Sequence, residues 1–438
     1  MILSAFELRR RVVVTGEGLV TPFGRSSAEI WNRWSRGRSA AAAITKFDAR
    51  TLPVRIAGEV LDFQPRKEIR NRKLLNMMTG GEDFGFRAAH AAIEGSQLEH
   101  MIASQQLDSY RCGLSIACHK EGFRHQNLGD AFLRSVREDG SIDPNRFVAD
   151  GWSRIPPRII IEALSNMGLY NISHDFELRG PNYSLLSIGI GGLQSLGEGL
   201  HAIEDNEADV MVAGAFDTWV NWMCIGHNVF NGILSQSAEP PEHVYRPFDI
   251  GRSGAVPAEG AAMFVLEELE HALVRGAPIL GELLGVSSAL SLPENDEAAA
   301  AESLANCIRA SLESADCTPA ELDLIQLHGD GTPAGDRIEA CGINLALGDA
   351  ACRIPATTLK SGTGMMGVAS GSAEAALAWE ALRRGEVLPI INLAEPENGL
   401  GLNFVREHQR LARSRRALVI QRGWPGLSAA IVVGSPPV

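Results

Sequence analysis

The chain has 438 residues, of which 45% are hydrophobic and 21% are charged, and its formal net charge is −13. This composition is typical of a soluble globular protein, and the negative charge disfavours nucleic acid or an anionic membrane surface as a partner. Seven cysteines at irregular spacing favour free thiols in a reducing cytoplasm over a disulfide framework or a zinc site. No run reaches the ~18 apolar residues that a membrane span needs.

The first part of the chain predicts strands that alternate with helices. Residues 12–14 form a short apolar run, and the Gly/Pro loop at residues 21–24 follows it. Residues 68–111 have a helical pattern, residues 111–117 predict a buried strand, and residues 119–158 are polar. This alternation indicates an α/β protein.

The central stretch, residues 180–217, predicts a strand, a tight turn, a helix and a second strand. Residues 183–188 have the pattern of a buried strand, and leucines and isoleucines recur at helical spacing over residues 193–203. A strand that turns sharply into a helix suits a nucleophile, because the first helical N–H groups point at the turn. The residue at this turn is Gly189, which has no side chain.

The second half of the chain repeats the plan of the first. Residues 322–327 predict a strand, and residues 357–364 predict a strand and a glycine elbow, followed by an alanine-rich helix from about 369 to 384. This order parallels the Gly189 turn and its helix, although the identity between the halves is weak. We therefore divide the chain into an N-terminal half, residues 1–265, and a C-terminal half, residues 266–438.

Several segments carry a resemblance to a known family. They are Gly180-Pro181 with the strand that follows, the stretch from Arg246-Pro247-Phe248-Asp249 to Arg275-Gly276-Ala277, and the loop at His328. These segments resemble the β-ketoacyl-acyl-carrier-protein synthases, or ketosynthases, and the resemblance covers nearly the whole chain. It implies a thiolase-like α/β fold of five layers, αβαβα, with two duplicated halves and two mixed sheets around paired buried helices.

The resemblance also assigns positions to the family's catalytic cysteine and two histidines, and to a supporting lysine and glutamate. The cysteine position is Gly189 and the second histidine position is Met365. His328 matches the first histidine, Glu339 the glutamate, and Lys360 the lysine. Since a thioester needs a nucleophile, we expect no intrinsic condensing activity, although the chain resembles part of a β-ketoacyl synthase complex of the acyltransferase class. The resemblance implies no metal and no cofactor.

These positions also have purely structural interpretations. His328 is better explained as a satisfied buried histidine than as a catalytic group, and Lys360 as a tie to Glu339 or to backbone carbonyls. Trp424 stands at the position of the phenylalanine that gates the acyl site in the family. Met365 and Trp424 are expected to fill the vestigial pocket at native packing density.

Without the cysteine, the chain looks like the chain-length factors of type II polyketide systems. This implies a non-catalytic subunit that forms a cytoplasmic heterodimer with an active ketosynthase, works with acyl carrier protein and shapes the tunnel for the polyketide or fatty-acyl chain. In the family, a helix near residues 119–133 ends the partner's tunnel, and its large apolar residues here are Phe123, Leu128 and Phe132. The usual chain-length factor has glutamine where this chain has Gly189.

Two other functions remain open at this point. One is an enzyme of different activity on the thiolase fold that uses His328 as an acid–base group. The other is a homodimeric acyl-binding protein without catalysis. In the family, the strand near residues 183–187 pairs across a twofold axis, and an apolar edge left unpaired would invite aggregation. We therefore expect that the chain is not a monomer.

Overall fold

Eleven strands of the described chain form one continuous, mixed hydrogen-bonded sheet. The computed structural model describes residues 9–69, 71–103, 107–119, 126–292, 296–423 and 426–437. In chain order the strands are β1 (Val12–Val20), β2 (Cys112–Cys118), β3 (Asn182–Leu186), β4 (Val210–Thr218), β5 (Glu259–Glu268), β6 (Gly281–Leu290), β7 (Leu324–Gln326), β8 (Pro355–Thr357), β9 (Asn403–Phe404), β10 (Arg416–Gly423) and β11 (Leu427–Gly434).

The sheet consists of two halves with the same strand order. The N-terminal half has the order β1-β5-β4-β2-β3, and the C-terminal half has β6-β11-β10-β7-β8, with β9 added at the outer edge. In both halves the first three strands pair antiparallel and the outer strands pair parallel. Residues 12–14 of β1 pair with residues 281–283 of β6. The two sheets expected from the resemblance are therefore joined into one, because these inner edges satisfy each other's backbone groups.

Helices cover the sheet on both faces. Those of six or more residues in the described chain are α1 (Ser27–Trp34), α2 (Glu82–Gly95), α3 (Leu98–Ala103), α4 (Gln126–Leu133), α5 (Met167–Asp175), α6 (Gly191–Glu204), α7 (Trp222–Phe230), α8 (Leu269–Arg275), α9 (Glu297–Ser314), α10 (Pro333–Leu347) and α11 (Ala369–Arg384). None of these helices is long and apolar enough to cross a membrane.

Short elements complete the described structure. Two small antiparallel ribbons pair Ala41–Ala43 with Ile56–Gly58, and Glu386–Val387 with Gln409–Arg410. The short helical segments are Pro65–Glu68, Arg72–Leu75, Ser109–Arg111, Pro144–Arg146, Phe147–Gly151, Trp152–Arg154, Ile159–Glu162, Pro241–Val244, Pro319–Glu321, Gly348–Ala350 and Lys360–Thr363.

The layers place α6 and α11 at the centre of the protein. These two helices contact each other and strands of both halves, whereas α2 covers the outer face of the N-terminal half and α9 covers that of the C-terminal half, with α10 packed on α9. Residues 369–382 of α11 are all buried. An alanine-rich helix can be surrounded in this way because its small side chains allow close packing on every side. The predicted five-layered fold with duplicated halves is confirmed.

The strand that precedes the Gly189 turn is exposed in this chain. β3 is an edge strand that pairs only with β2, and its residues alternate between exposed and half-buried. Leu186 is 64% exposed. The prediction of a buried strand over residues 183–188 is therefore wrong for the chain by itself, because one edge of β3 has no neighbouring strand within the described residues.

Candidate functional site

The turn between β3 and α6 packs directly against the backbone of β10. Gly189 has a φ of +101°, a conformation that favours glycine. A Cβ atom at this position would lie 2.5 Å from Cα of Gly423 and 2.9 Å from the carbonyl oxygen of Arg422. Both the backbone conformation and the neighbouring strand therefore require glycine. No side chain fits here unless β10 moves.

Gly189, His328 and Met365 line one cavity of about 500 Å³. The structure thus brings together three positions that lie far apart in the sequence. The remaining wall has apolar and polar parts, among them Ile188, Trp219, Ile233, Ile338, Asp330, Arg337, Gln421 and Arg422. Met365 is buried in one wall of this cavity, and the expectation that Met365 and Trp424 together fill the pocket stays a prediction. Trp424 lies outside the described residues.

Met365 is fixed by its backbone and by a buried cluster. Its N–H donates to the carbonyl oxygen of Val256, and its own carbonyl oxygen accepts from the N–H of Ala258, both at 2.8 Å. The side chain is 3% exposed and belongs to a hydrophobic cluster with Trp219 and Tyr245. A thioether accepts hydrogen bonds weakly and donates none. Met365 therefore cannot stabilise an oxyanion as a histidine could.

His328 is a buried, neutral imidazole. It is 5% exposed, and its Nδ1 has no hydrogen-bond partner. Burial, assisted by the positive charges of Lys360 and Arg422, holds the pKa of this imidazole well below its ordinary value. Gln421 lies close enough to act on the pKa in the opposite direction, but neither of its amide atoms completes a hydrogen bond of normal geometry.

Glu339 holds the backbone of the His328 loop. Its Oε1 accepts from the N–H of His328 at 2.6 Å, and its Oε2 accepts from the N–H of Gly329 at 2.7 Å. The side chain is fully buried, and burial raises its pKa to about 7. Glu339 thus positions the loop through main-chain contacts.

Lys360 pairs with a carboxylate that the sequence interpretation missed. Its Nζ lies 3.0 Å from Oε1 of Glu374 and 3.4 Å from the carbonyl oxygen of Leu327. The proposed tie to a backbone carbonyl is present, but the ion pair is with Glu374 rather than Glu339. Glu374 lies on α11, and the sequence does not specify which face of this helix packs towards Lys360. The sequence feature that could have indicated this ion pair is the single acidic residue within residues 369–378, most of which are small.

Two of the residues proposed for chain-length control, Leu128 and Phe132, do not line the cavity. Phe132 on α4 is 42% exposed and stacks on Phe147 with ring centroids 5.5 Å apart. Leu128 is half-buried on the same helix. Phe123 lies outside the described residues. Across the described part of the chain, no group of three histidine, cysteine or acidic side chains is placed to hold a metal ion.

Comparisons with known sequences cover most of the chain. Residues 9–272 match the family model "Beta-ketoacyl synthase, N-terminal domain", and residues 281–394 match "Beta-ketoacyl synthase, C-terminal domain". A 3-oxoacyl-[acyl-carrier-protein] synthase 2 of Coxiella burnetii is 32% identical, over 97% of this chain and 98% of that protein. The tetracenomycin polyketide synthase ketoacyl synthase alpha subunit of Streptomyces glaucescens is 30% identical, over 98% of this chain and 97% of that protein.

Solved structures with the same architecture include assemblies with other subunits. The ishigamide ketosynthase/chain length factor matches with a TM-score of 0.84 and 26% identity, over 98% of this chain and 100% of that chain. A type II polyketide synthase acyl-carrier protein in complex with its ketosynthase, bound to the hexaketide, matches with a TM-score of 0.81, 26% identity and the same coverage. The chain therefore belongs to the β-ketoacyl synthase family.

Proposed function

We propose that this chain is a non-catalytic ketosynthase subunit, a chain-length factor, that pairs with an active ketosynthase in the cytoplasm. The observation that carries the proposal is the Gly189 turn, which has no nucleophile and no space for one. Covalent condensation needs a side chain that holds the acyl group as a thioester. Met365 removes a second requirement, because it cannot donate a hydrogen bond to a developing oxyanion.

An exposed apolar face supports a partner subunit. β3 has an unpaired edge within the described residues, α5 contacts this strand, and Leu186 beside the turn is largely exposed. The segment from α4 to α5 exposes further large apolar side chains: Phe132, Leu133, Val148, Trp152, Ile160, Ile161, Leu164 and Tyr170. An apolar surface of this kind beside a free strand edge is typical of a face that another subunit covers. The similar ketosynthase/chain length factor structure suggests which kind of subunit.

Acyl carrier protein is the second partner in this proposal. The similar type II ketosynthase structure contains its acyl-carrier protein. In the complex proposed here, the active ketosynthase holds the growing chain on its own cysteine. The present subunit contributes the wall that limits the length of that chain.

The test is co-expression with an active, cysteine-bearing ketosynthase from the same organism. We expect the two chains to co-purify in equal amounts. After incubation with an acyl-CoA or acyl carrier protein, intact mass should show an acyl group on the partner and none on this chain. The partner expressed without this chain is the control, and it should not form product. A stable homodimer that excludes the partner, or an acyl adduct within residues 180–192, would contradict the proposal.

One observation favours a second function, an enzyme of different activity. The neutral His328 faces the cavity with Nδ1 free to accept a proton. If this function is correct, the chain alone turns over an acyl thioester, and His328→Ala abolishes that turnover. No turnover by the isolated chain would eliminate it.

A further inference from the structure

A groove of about 460 Å³ lies at the amino ends of parallel strands in the C-terminal half. Among its lining residues, Asp323 directly precedes β7 and Pro355 begins β8, and these two strands run parallel. His328 and Lys360 follow the carboxyl ends of the same two strands. The groove is therefore separated from the cavity beside Gly189 by the length of the sheet strands.

Three guanidinium groups line the groove against a single carboxylate. Arg413 is tied to that carboxylate, because its Nε donates to Oδ1 of Asp323 at 3.0 Å, and Oδ2 of Asp323 accepts from the N–H of Arg415 at 2.8 Å. Arg353 and Arg410 line the same groove and form no ion pair with a carboxylate of the residues that the structure describes. Since guanidinium groups are always charged, two positive charges in the groove lack an anion.

The segment beside the groove is strongly basic, although the protein is acidic. Residues 406–416 contain five arginines and one glutamate, whereas the whole chain has a formal net charge of −13. Guanidinium groups that face one groove repel each other, and an anion bound between them removes this repulsion. Arg353 and Arg410 are both exposed, so an anion from solution can reach them. The charge pattern therefore indicates an anionic ligand.

A phosphate group fits these two arginines better than a carboxylate does. The planar guanidinium group donates two parallel hydrogen bonds to phosphate oxygens. A phosphate monoester carries a charge of about −1.5 to −2 at neutral pH, so one phosphate balances both Arg353 and Arg410, whereas one carboxylate balances only one of them.

The rest of the groove has room for the organic part of such a ligand. Pro319, Leu322 and Ile354 supply apolar surface, and Asn403 and Gln409 add amide groups. The volume of about 460 Å³ falls within the range of roughly 300–1,000 Å³ that is typical of small-molecule sites. A ligand that fits the groove is therefore a small molecule with one phosphorylated end.

We propose that this groove binds a small phosphorylated ligand. The phosphate oxygens accept hydrogen bonds from Arg353 and Arg410, and the organic part lies against the apolar surface. No covalent bond forms or breaks. β9 and β3 stand at opposite ends of the strand order, so the groove beside β9 is on the other side of the sheet from the edge proposed for the partner subunit. The inference goes beyond the proposed pairing with a ketosynthase and does not rest on it.

Isothermal titration of the full-length chain with ADP and with glucose 6-phosphate tests the proposal. Adenosine and glucose are the uncharged counterparts. We expect at least one of the two phosphates to bind at least tenfold more tightly than its counterpart, and the tighter of the two distinguishes a nucleotide from a sugar phosphate as the source of the phosphate group. Arg353→Gln and Arg410→Gln should each weaken its binding at least tenfold. Arg410→Lys, which keeps the charge but loses the planar pair of donors, should recover part of the affinity.

Arg415→Gln is the matched control. Arg415 is exposed in the same basic segment but does not line the groove, and its contact with Asp323 runs through the backbone, which the substitution keeps. It should change the affinity less than threefold. Equal losses in Arg415→Gln and Arg410→Gln would overturn the proposal, because they would mean diffuse attraction to a basic surface without a defined site.

Two further results would overturn it: equal binding of each phosphate and its uncharged counterpart, or no binding of either phosphate by a chain whose circular dichroism shows that it is folded. Co-purification with a ketosynthase is measured separately, so failure of the pairing and failure of this site are distinguishable.

Discussion

Gly189 and Gly423 meet backbone to backbone, and neither position has room for a side chain. A Cβ atom at Gly189 would lie 2.5 Å from Cα of Gly423, and one at Gly423 would collide with the carbonyl group of Ile188. Gly423 ends β10, a strand of the C-terminal half. The turn at Gly189 is thus covered by the other half of the chain, and the surrounding backbone leaves no space for a side chain there.

Gly189→Ala should therefore destabilise the protein by roughly 2–5 kcal/mol. About 1–2 kcal/mol comes from a side chain at positive φ, and about 1–3 kcal/mol comes from overpacking against Gly423. Gly37→Ala is the matched control, because Gly37 also has positive φ but a Cβ there would meet nothing within 4 Å. Urea denaturation of both variants measures the difference. Equal losses would mean that β10 moves aside freely.

Gly189→Cys should not restore condensation. The new thiol would have to displace β10, and Met365 would still be unable to donate a hydrogen bond to an enolate oxygen. The assay combines an acyl donor with malonyl-acyl-carrier protein and follows product and intact mass. The double variant Gly189→Cys/Met365→His is the comparison. Condensation by the single variant would show that the second histidine is dispensable in this chain.

Much of the fold follows from repeated local patterns. The predicted helix over residues 369–384 is α11 with the same bounds, because its alanine-rich pattern is strongly helical and a glycine ends it at Gly385. The two halves share one strand order, as their parallel patterns indicate. Local spacing was sufficient for these features because it sets the direction of side chains along each element.

The contacts that shape the site could not be predicted from local sequence patterns. Lys360 and Glu374 lie on either side of a turn, and the path of the backbone through that turn sets the distance between their side chains. The sequence suggested Glu339 as the partner of Lys360 instead. The exposure of Leu186 follows from the position of β3 at the edge of the sheet formed by the described residues, which periodicity does not encode. The cavity depends on how the Gly189 turn, the loops at His328 and Met365, and β10 come together, which local patterns do not specify.

Because Lys360 and Glu374 form a buried ion pair, removal of one of the two charges should strongly destabilise the protein. Both side chains are buried, and Glu374 also accepts hydrogen bonds from Gln326 and Thr358. Lys360→Met leaves a buried carboxylate without its cation, so we expect a loss of about 3–5 kcal/mol. Lys360→Met/Glu374→Gln should regain most of this loss, as measured by chemical denaturation. If the double variant is no more stable than the single one, the charge is not the cause.

Glu339 predicts a dependence of stability on pH. Its pKa is raised from 4.5 to about 7, so the native state keeps a proton that the unfolded state loses between these values. The free energy of unfolding should therefore fall as pH rises from 4.5 to 7, by on the order of 3 kcal/mol, and this contribution should level off above pH 7.

Comparison with Glu339→Gln removes this titration, because the amide does not titrate, together with its coupling to Asp336, whose pKa the charge of Glu339 helps to raise. Asp83, whose pKa burial raises to about 6, titrates in both proteins and cancels in the difference. The measurement is the free energy of unfolding at several pH values between 4.5 and 8. A difference between the two proteins that stays constant across this range would show that Glu339 is already ionised at low pH in the native state.

The chain-length role itself is tested at Phe132. This side chain projects from α4 on the exposed apolar face, with one ring face stacked on Phe147 and 42% of its surface free to contact a partner. If it ends the partner's tunnel, Phe132→Ala in the complex with the active ketosynthase should lengthen the product by at least one two-carbon unit and leave assembly intact. Leu133→Ala, which removes the adjacent and more exposed side chain, is the control and should not change the product. Product length is read by mass spectrometry and assembly by size-exclusion chromatography. An unchanged product from an intact Phe132→Ala complex would show that α4 does not limit the chain.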